Sequence, residues 1–152
     1  MFIMRKIVLI SCVSVKLSHK ARAEDLYISP LFKYGLAYAK SLGADNIYIL
    51  SAKYGLLELD EIIGPYNTTL NTMSSSEIKI WAEKVLSQLN KKINLNSDQI
   101  IFLAGENYRK YLIPHIQHFS IPLKGLGIGR QLKFLKEHKD NSGKDYGQKI
   151  LL

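Results

Sequence analysis

Three unbroken apolar runs of strand length, each followed by a stretch of helical period, limit the folds open to this chain. They are Lys6–Ser11 (KIVLIS), Asn46–Ser51 (NIYILS) and Gln99–Ala104 (QIIFLA). Continuous runs of this kind belong to strands covered on both faces, because a strand with one wet face alternates apolar and polar residues. Behind the first run, Ser29-Pro30 supplies an N-cap and a proline at the first helical position. Leu31, Tyr34, Tyr38 and Leu42 then recur at three- and four-residue spacing until Gly43 ends the pattern. Behind the second, Ser74-Ser75-Ser76-Glu77 reads as a capping box, with Ile78, Trp81, Val85 and Leu89 as the apolar stripe. A helix is expected from about Asn107, kinked or ended by Pro114. Phe119–Leu123 reads as a short fourth strand and Ile128–His138 as a final helix.

Four β–α repeats predict one α/β domain over residues 1–138, three-layered, with a mainly parallel four-stranded sheet and helices on both faces. Apolar residues make up 47% of the chain, enough for a core of that size. Residues 139–152 are polar and contain glycine, and are expected to form a loosely held tail.

The segment LISC behind MFIMRK also resembles a lipoprotein signal. Only five residues, Ile7 to Ser11, separate Lys6 from Cys12. A signal core needs about 7–15 apolar residues, so Cys12 reads instead as a strand-end residue. No run approaches the roughly 18 apolar residues of a membrane span. Cys12 is the single cysteine, which excludes an intrachain disulfide and fits a reducing compartment. A cytoplasmic protein without membrane contact is expected.

The formal charge of +8 points to an anionic partner such as nucleic acid or a nucleotide. Most of the basic residues are lysine, though, and arginine is the better reader of phosphates and bases. Charge alone therefore leaves a merely basic surface open.

Open parallel sheets bind ligands beyond the carboxyl ends of their strands, so the residues just after each run matter most. After the first come Ser11, Cys12, Ser14 and Lys16. After the second come Ser51, Lys53, Tyr54 and Gly55, leading to Asp60, Pro65 and Tyr66. After the third come Gly105, Glu106, Asn107 and Tyr108, and after the fourth GLGIGRQ, with Gly127, Gly129 and Arg130. Lys16 and Lys53 suit phosphate, or nucleophilic chemistry if desolvation lowers a pKa; they also suit a solvated surface. Cys12 is a small buried hydrophobe or, beside a lysine, a reactive thiolate. Glu106 caps a helix or reads and activates a base. Tyr108 packs in the core or stacks on a ring. The glycines of GLGIG form a tight turn or meet an anion with backbone N–H groups, Arg130 beside them.

His19, His115, His118 and His138 show no metal-ligand spacing, and GLGIG is not a dinucleotide fingerprint. No metal and no cofactor are expected. No feature of the sequence speaks to oligomeric state.

The motifs SC-VSVK with DLYxSPLF, LSAKYGLLELDEIIGPYNTTL, LAGENYRKYL and PLKGLGIGRQLKFL resemble, in order from about Ile7 to Leu135, a small bacterial and phage family catalogued as a domain of unknown function. LSAKYGLLELDEIIGPY is also similar to a segment of the peroxide-stress protein YaaA, a family associated with DNA binding. That likeness touches Ser51, Tyr54, Gly55, Asp60, Pro65 and Tyr66. A third resemblance, Cys12 and Lys16 at Cys-x-x-x-Lys spacing, is to the catalytic core of archaeosine synthase, which modifies a base in transfer RNA; the Ser and His of that motif have no match here.

Together these readings imply a domain that engages a nucleobase, nucleotide or nucleic acid, with Lys16, Cys12, Lys53 and Glu106 as candidate catalytic groups. Ser11, Ser14, Ser51, Tyr54, Gly55, Asp60, Tyr66, Gly105, Tyr108, Gly127, Gly129 and Arg130 are the candidate binding residues. Two alternatives stand beside it: a DNA-binding stress or defence protein without catalysis, and a small-molecule nucleoside or nucleotide hydrolase or transferase.

Overall fold

In a computed structural model, the structure describes residues 4–11 and 15–138. Cys12, Ser14 and the expected tail at 139–152 lie outside the described residues. In chain order the elements are β1 (Lys6–Ser11), β2 (Ala21–Arg22), α1 (Ala23–Leu26), α2 (Pro30–Ser41), β3 (Asn46–Ser51), β4 (Gly55–Glu58), β5 (Ile62–Ile63), α3 (Ser75–Asn90), β6 (Gln99–Leu103), α4 (Glu106–Arg109), β7 (His118–Ser120) and α5 (Ile128–His138). Short 3₁₀ turns lie at Leu70–Thr72 and Ile113–His115.

The main sheet has five strands in the order β4-β3-β1-β6-β7, and β2 pairs with β5 separately. β1 runs parallel to both neighbours, with Ile7 opposite Asn46 and Ile100. β7 is parallel to β6, and β4 alone is antiparallel, folding back on β3. The sheet therefore exceeds the expected four strands by the hairpin strand GLLE. Gly55 makes that hairpin possible, with φ at +78°. A Cβ there would also overlap Gln88 Oε1, which accepts the Leu56 N–H at 2.9 Å.

Alternate residues of β1 enter two different cores. Ile7 and Leu9 pack with Ile78, Trp81, Val85 and Leu89 of α3. Val8 and Ile10 pack with Phe32, Leu36 and Ala39 of α2 and with Leu135 of α5. Successive strand side chains point to opposite faces, so α3 covers one face of the sheet and α2 with α5 the other.

The local signals behind these helices hold. Ser29 Oγ accepts the Phe32 N–H at 3.3 Å with Pro30 at the first turn. Ser74 and Glu77 close a reciprocal capping box. The expected fourth strand is shorter than Phe119–Leu123 and starts one residue earlier. The helix expected from Asn107 is the single turn α4, and Pro114 falls in the 3₁₀ turn after it.

At the amino edge, Asp98 ties the sheet together. Its carboxylate accepts the Arg5 N–H (3.2 Å), Arg5 Nη2 (2.9 Å) and the Asn94 N–H (2.8 Å). Burial opposes its ionisation, but the Asn94 amide and the Arg5 guanidinium and amide outweigh that and hold its pKa below the ordinary aspartate value. No helix among the described residues is long and apolar enough to cross a membrane.

Candidate functional site

The carboxyl edge of the sheet is organised around Ser51, the last residue of β3. Ser51 is fully buried. Its Oγ accepts the N–H groups of Tyr54 (2.9 Å) and Lys53 (3.2 Å) and donates to Tyr66 Oη at 2.9 Å. Its carbonyl accepts Trp81 Nε1 at 2.9 Å, fastening α3 beneath the edge. Tyr66 Oη is in turn hydrogen-bonded to Tyr27 Oη. A chain of three hydroxyls thus runs from β3 through the loop after β5 to the segment before α2.

Two lysines lie on the rings of this chain. Lys16 Nζ stands 4.5 Å from the centroid of Tyr66 and 5.7 Å from that of Tyr27. The backbone explains its position, because Lys16 forms an antiparallel bridge with Tyr27. Lys53 Nζ lies 5.2 Å from the Tyr54 ring, which meets Tyr66 edge-on at 5.6 Å between centroids. Contacts of this kind contribute about 0.5–1 kcal/mol each at exposed sites, enough to bias where an ammonium points. Lys16 lines a depression of about 430 Å³ together with Val15, Leu17, Pro65, Tyr66, Asn67 and Thr69.

The loop after Tyr66 continues along the edge toward α4. Tyr108 Oη accepts the Leu70 N–H at 3.2 Å, and Asn107 Nδ2 donates to Asn71 Oδ1 at 3.0 Å. Strand ends of β1, β3 and β6 are joined in this way along one surface.

The structure sorts the expected residues. Lys16, Lys53, Tyr54 and Tyr66 come together, with Ser51 positioning them from below. Ser11 ends β1 half-buried on the same edge. Gly55 serves the hairpin. Tyr108 is only 2% exposed, its ring edge-on to Trp81, so it belongs to the core. Asp60 leaves the edge altogether: β4 runs antiparallel and Glu58 already pairs with Tyr48, midway down β3. Asp60 is exposed beyond that strand. Glu106 is exposed in the first turn of α4, and Arg130 in that of α5. A Cβ at Gly105, Gly127 or Gly129 would meet nothing within 4 Å, so close packing does not require glycine there.

Tyr27, Asn67, Thr69 and Arg109 were not singled out by position after a strand, and Gln131 entered only as the last residue of GLGIGRQ. Tyr27 lies in DLYxSPLF, Asn67 and Thr69 in LSAKYGLLELDEIIGPYNTTL and Arg109 in LAGENYRKYL, motifs already conspicuous in the sequence. Among the described residues, no group of three His, Cys, Asp or Glu side chains could hold a metal ion.

A family of unknown function, DUF6884, matches residues 7–137. Uncharacterized protein YfjM of Bacillus subtilis (strain 168) is 34% identical over 143 residues, covering 87% of this chain and 93% of YfjM. A UPF0246 protein of Teredinibacter turnerae is 33% identical over 79 residues, 47% of this chain and 31% of that protein. UPF0246 protein azo1887 of Azoarcus sp. is 28% identical over 103 residues, 61% of this chain and 38% of that protein. The chain thus spans about a third of the UPF0246 relatives, which form the YaaA family. These relatives carry the resemblances to the family of unknown function and to YaaA, and do not carry the one to archaeosine synthase.

Proposed function

The chain belongs to the DUF6884 family of unknown function, and for it we propose a domain that engages a nucleobase or nucleotide, within nucleic acid, at the carboxyl edge of its sheet. The observation that supports this most is Lys16 on the faces of Tyr66 and Tyr27 above an open depression. An ammonium attracts a phosphate, Asn67 and Thr69 offer hydrogen bonds, and the tyrosines offer ring surface. The +8 charge and the YaaA resemblance point in the same direction.

The hydroxyl chain from Ser51 through Tyr66 to Tyr27 favours a second reading, in which the bound base is also modified. Linked hydroxyls beneath a bound group can relay a proton. In that reading Lys16, Lys53 and Cys12 are the candidate reacting groups.

The test is fluorescence anisotropy with labelled single- and double-stranded DNA and RNA over a salt series. Binding that weakens steeply with salt shows phosphate contacts, because neutralised phosphates release counterions. Loss of binding in a Lys16→Ala, Lys53→Ala double variant supports the proposed site. Failure of the native protein to bind any of the four at low salt rejects it.

A further inference from the structure

The chain leaves β1 for β3 on one side and later returns past β1 to β6 on the other. The carboxyl ends of β1 and β6 are therefore the switch point of the sheet, where diverging loops open a crevice. A cavity of about 110 Å³ lies there, separate in its lining from the depression at Lys16. Ile10 and Leu103 of the strands and Leu31 and Leu135 of the flanking helices give it aliphatic walls. Gly35 lets α2 come close, since a Cβ there would stand 3.0 Å from Ile10 Cδ1.

Two polar side chains, Arg109 and Gln131, interrupt the apolar lining. Arg109 Nη1 donates to the Ala104 carbonyl at 2.8 Å, and Gln131 Nε2 to the Leu126 carbonyl at 2.8 Å. Each bond anchors its side chain and leaves capacity unused. A guanidinium has five N–H donors, and a glutamine amide keeps its oxygen acceptor and a second N–H. Among the described residues no carboxylate forms an ion pair with Arg109.

We propose that this cavity seats a single six-membered planar ring with a cyclic-amide edge, a pyrimidine-type base. The aliphatic walls sandwich the ring faces, Arg109 donates to a ring carbonyl, and Gln131 Oε1 accepts from the adjacent ring N–H. Size favours one ring over two, because the space of about 110 Å³ is below the roughly 150 Å³ of a dry cavity that accepts benzene. A single ring would fill it with one edge left at the open mouth, and a fused purine would stand further out. The inference rests on the nucleobase reading above, narrows it to one class of base, and seats the ring in this crevice of the same carboxyl edge instead of on the tyrosines beside Lys16.

Calorimetric titration of the full chain with uracil, cytosine, adenine and hypoxanthine tests it. The variants are Arg109→Met and Gln131→Leu, which remove the hydrogen-bonding ends and keep an apolar stem, with Lys91→Met as a surface control and circular dichroism to confirm folding. Uracil or cytosine should bind, at least tenfold more weakly in each cavity variant and unchanged in the control, while the purines bind at least tenfold more weakly than the pyrimidines. Purine binding as tight as pyrimidine binding overturns the inference, as does the absence of pyrimidine binding. Pyrimidine binding lost in Lys16→Met but kept in Arg109→Met and Gln131→Leu also overturns it, and leaves the nucleobase reading standing.

Discussion

Replacing Ser51 by alanine removes one oxygen that three groups depend on. That oxygen accepts two backbone N–H groups, from Lys53 and Tyr54, and donates to Tyr66 Oη. Each net hydrogen bond contributes about 1 kcal/mol, and a buried donor left unsatisfied costs about 1–3 kcal/mol. Lys53 is exposed, so its amide can turn to water at little cost. Tyr54 is half-buried and its amide bears more of the loss. Tyr66 keeps Tyr27 as a partner. The sum is a destabilisation of about 2–3 kcal/mol for Ser51→Ala, measured by urea unfolding as a lower midpoint at unchanged slope. A double-mutant cycle with Tyr66→Phe isolates the hydroxyl–hydroxyl bond and should give a coupling of about 1 kcal/mol. A Ser51→Ala loss under about 0.5 kcal/mol, or an additive cycle, would refute the idea that the hydroxyl chain positions Tyr66.

Gly55→Ala should destabilise by about 2–3 kcal/mol in urea unfolding, combining the left-handed backbone penalty with displacement of Gln88 from the Leu56 amide. Asp98 has its pKa lowered in the folded chain, so its stabilisation is complete above the ordinary aspartate value and fades as the pH falls through the depressed one. Asp98→Asn should cost about 1–3 kcal/mol near neutral pH, and the gap to the native protein should close in acid titrations of unfolding free energy.

What the sequence made legible follows from how local each signal is. β1 and β3 match their expected limits because each is a continuous apolar run that no other element explains as well. The starts of α2 and α3 were visible because capping is a contact three residues long. β4 was hidden: GLLE has four residues, and only its pairing with Leu50, Ile49 and Tyr48 makes it a strand. Missing that reversal put Asp60 on the wrong part of the molecule. The α4 region overextended for the opposite reason, since periodicity in ENYRKYL cannot show that the chain turns after Arg109.

The candidate site divides along the same line. Strand-end position pointed to Lys16, Ser51, Lys53, Tyr54 and Tyr66. It could not point to Tyr27, which reaches the cluster through its bridge to Lys16, nor to Arg109, which lies a turn past the end of β6. Nor could position separate a residue that faces a ligand from one that holds it in place. Ser51 and Tyr108 follow strands as expected, yet burial confines both to supporting roles.

A comparison of two variants of equal charge tests the carboxyl-edge site most directly. Lys16→Gln removes the ammonium held over Tyr66, whereas Lys91→Gln removes an exposed one at the far end of α3. Both lower the net charge by one, so a merely basic surface would respond alike to each. Anisotropy with a short labelled oligonucleotide at fixed salt should show binding at least tenfold weaker in Lys16→Gln and within twofold of native in Lys91→Gln. Equal weakening in the two variants, or none in either, would contradict a site at the carboxyl edge.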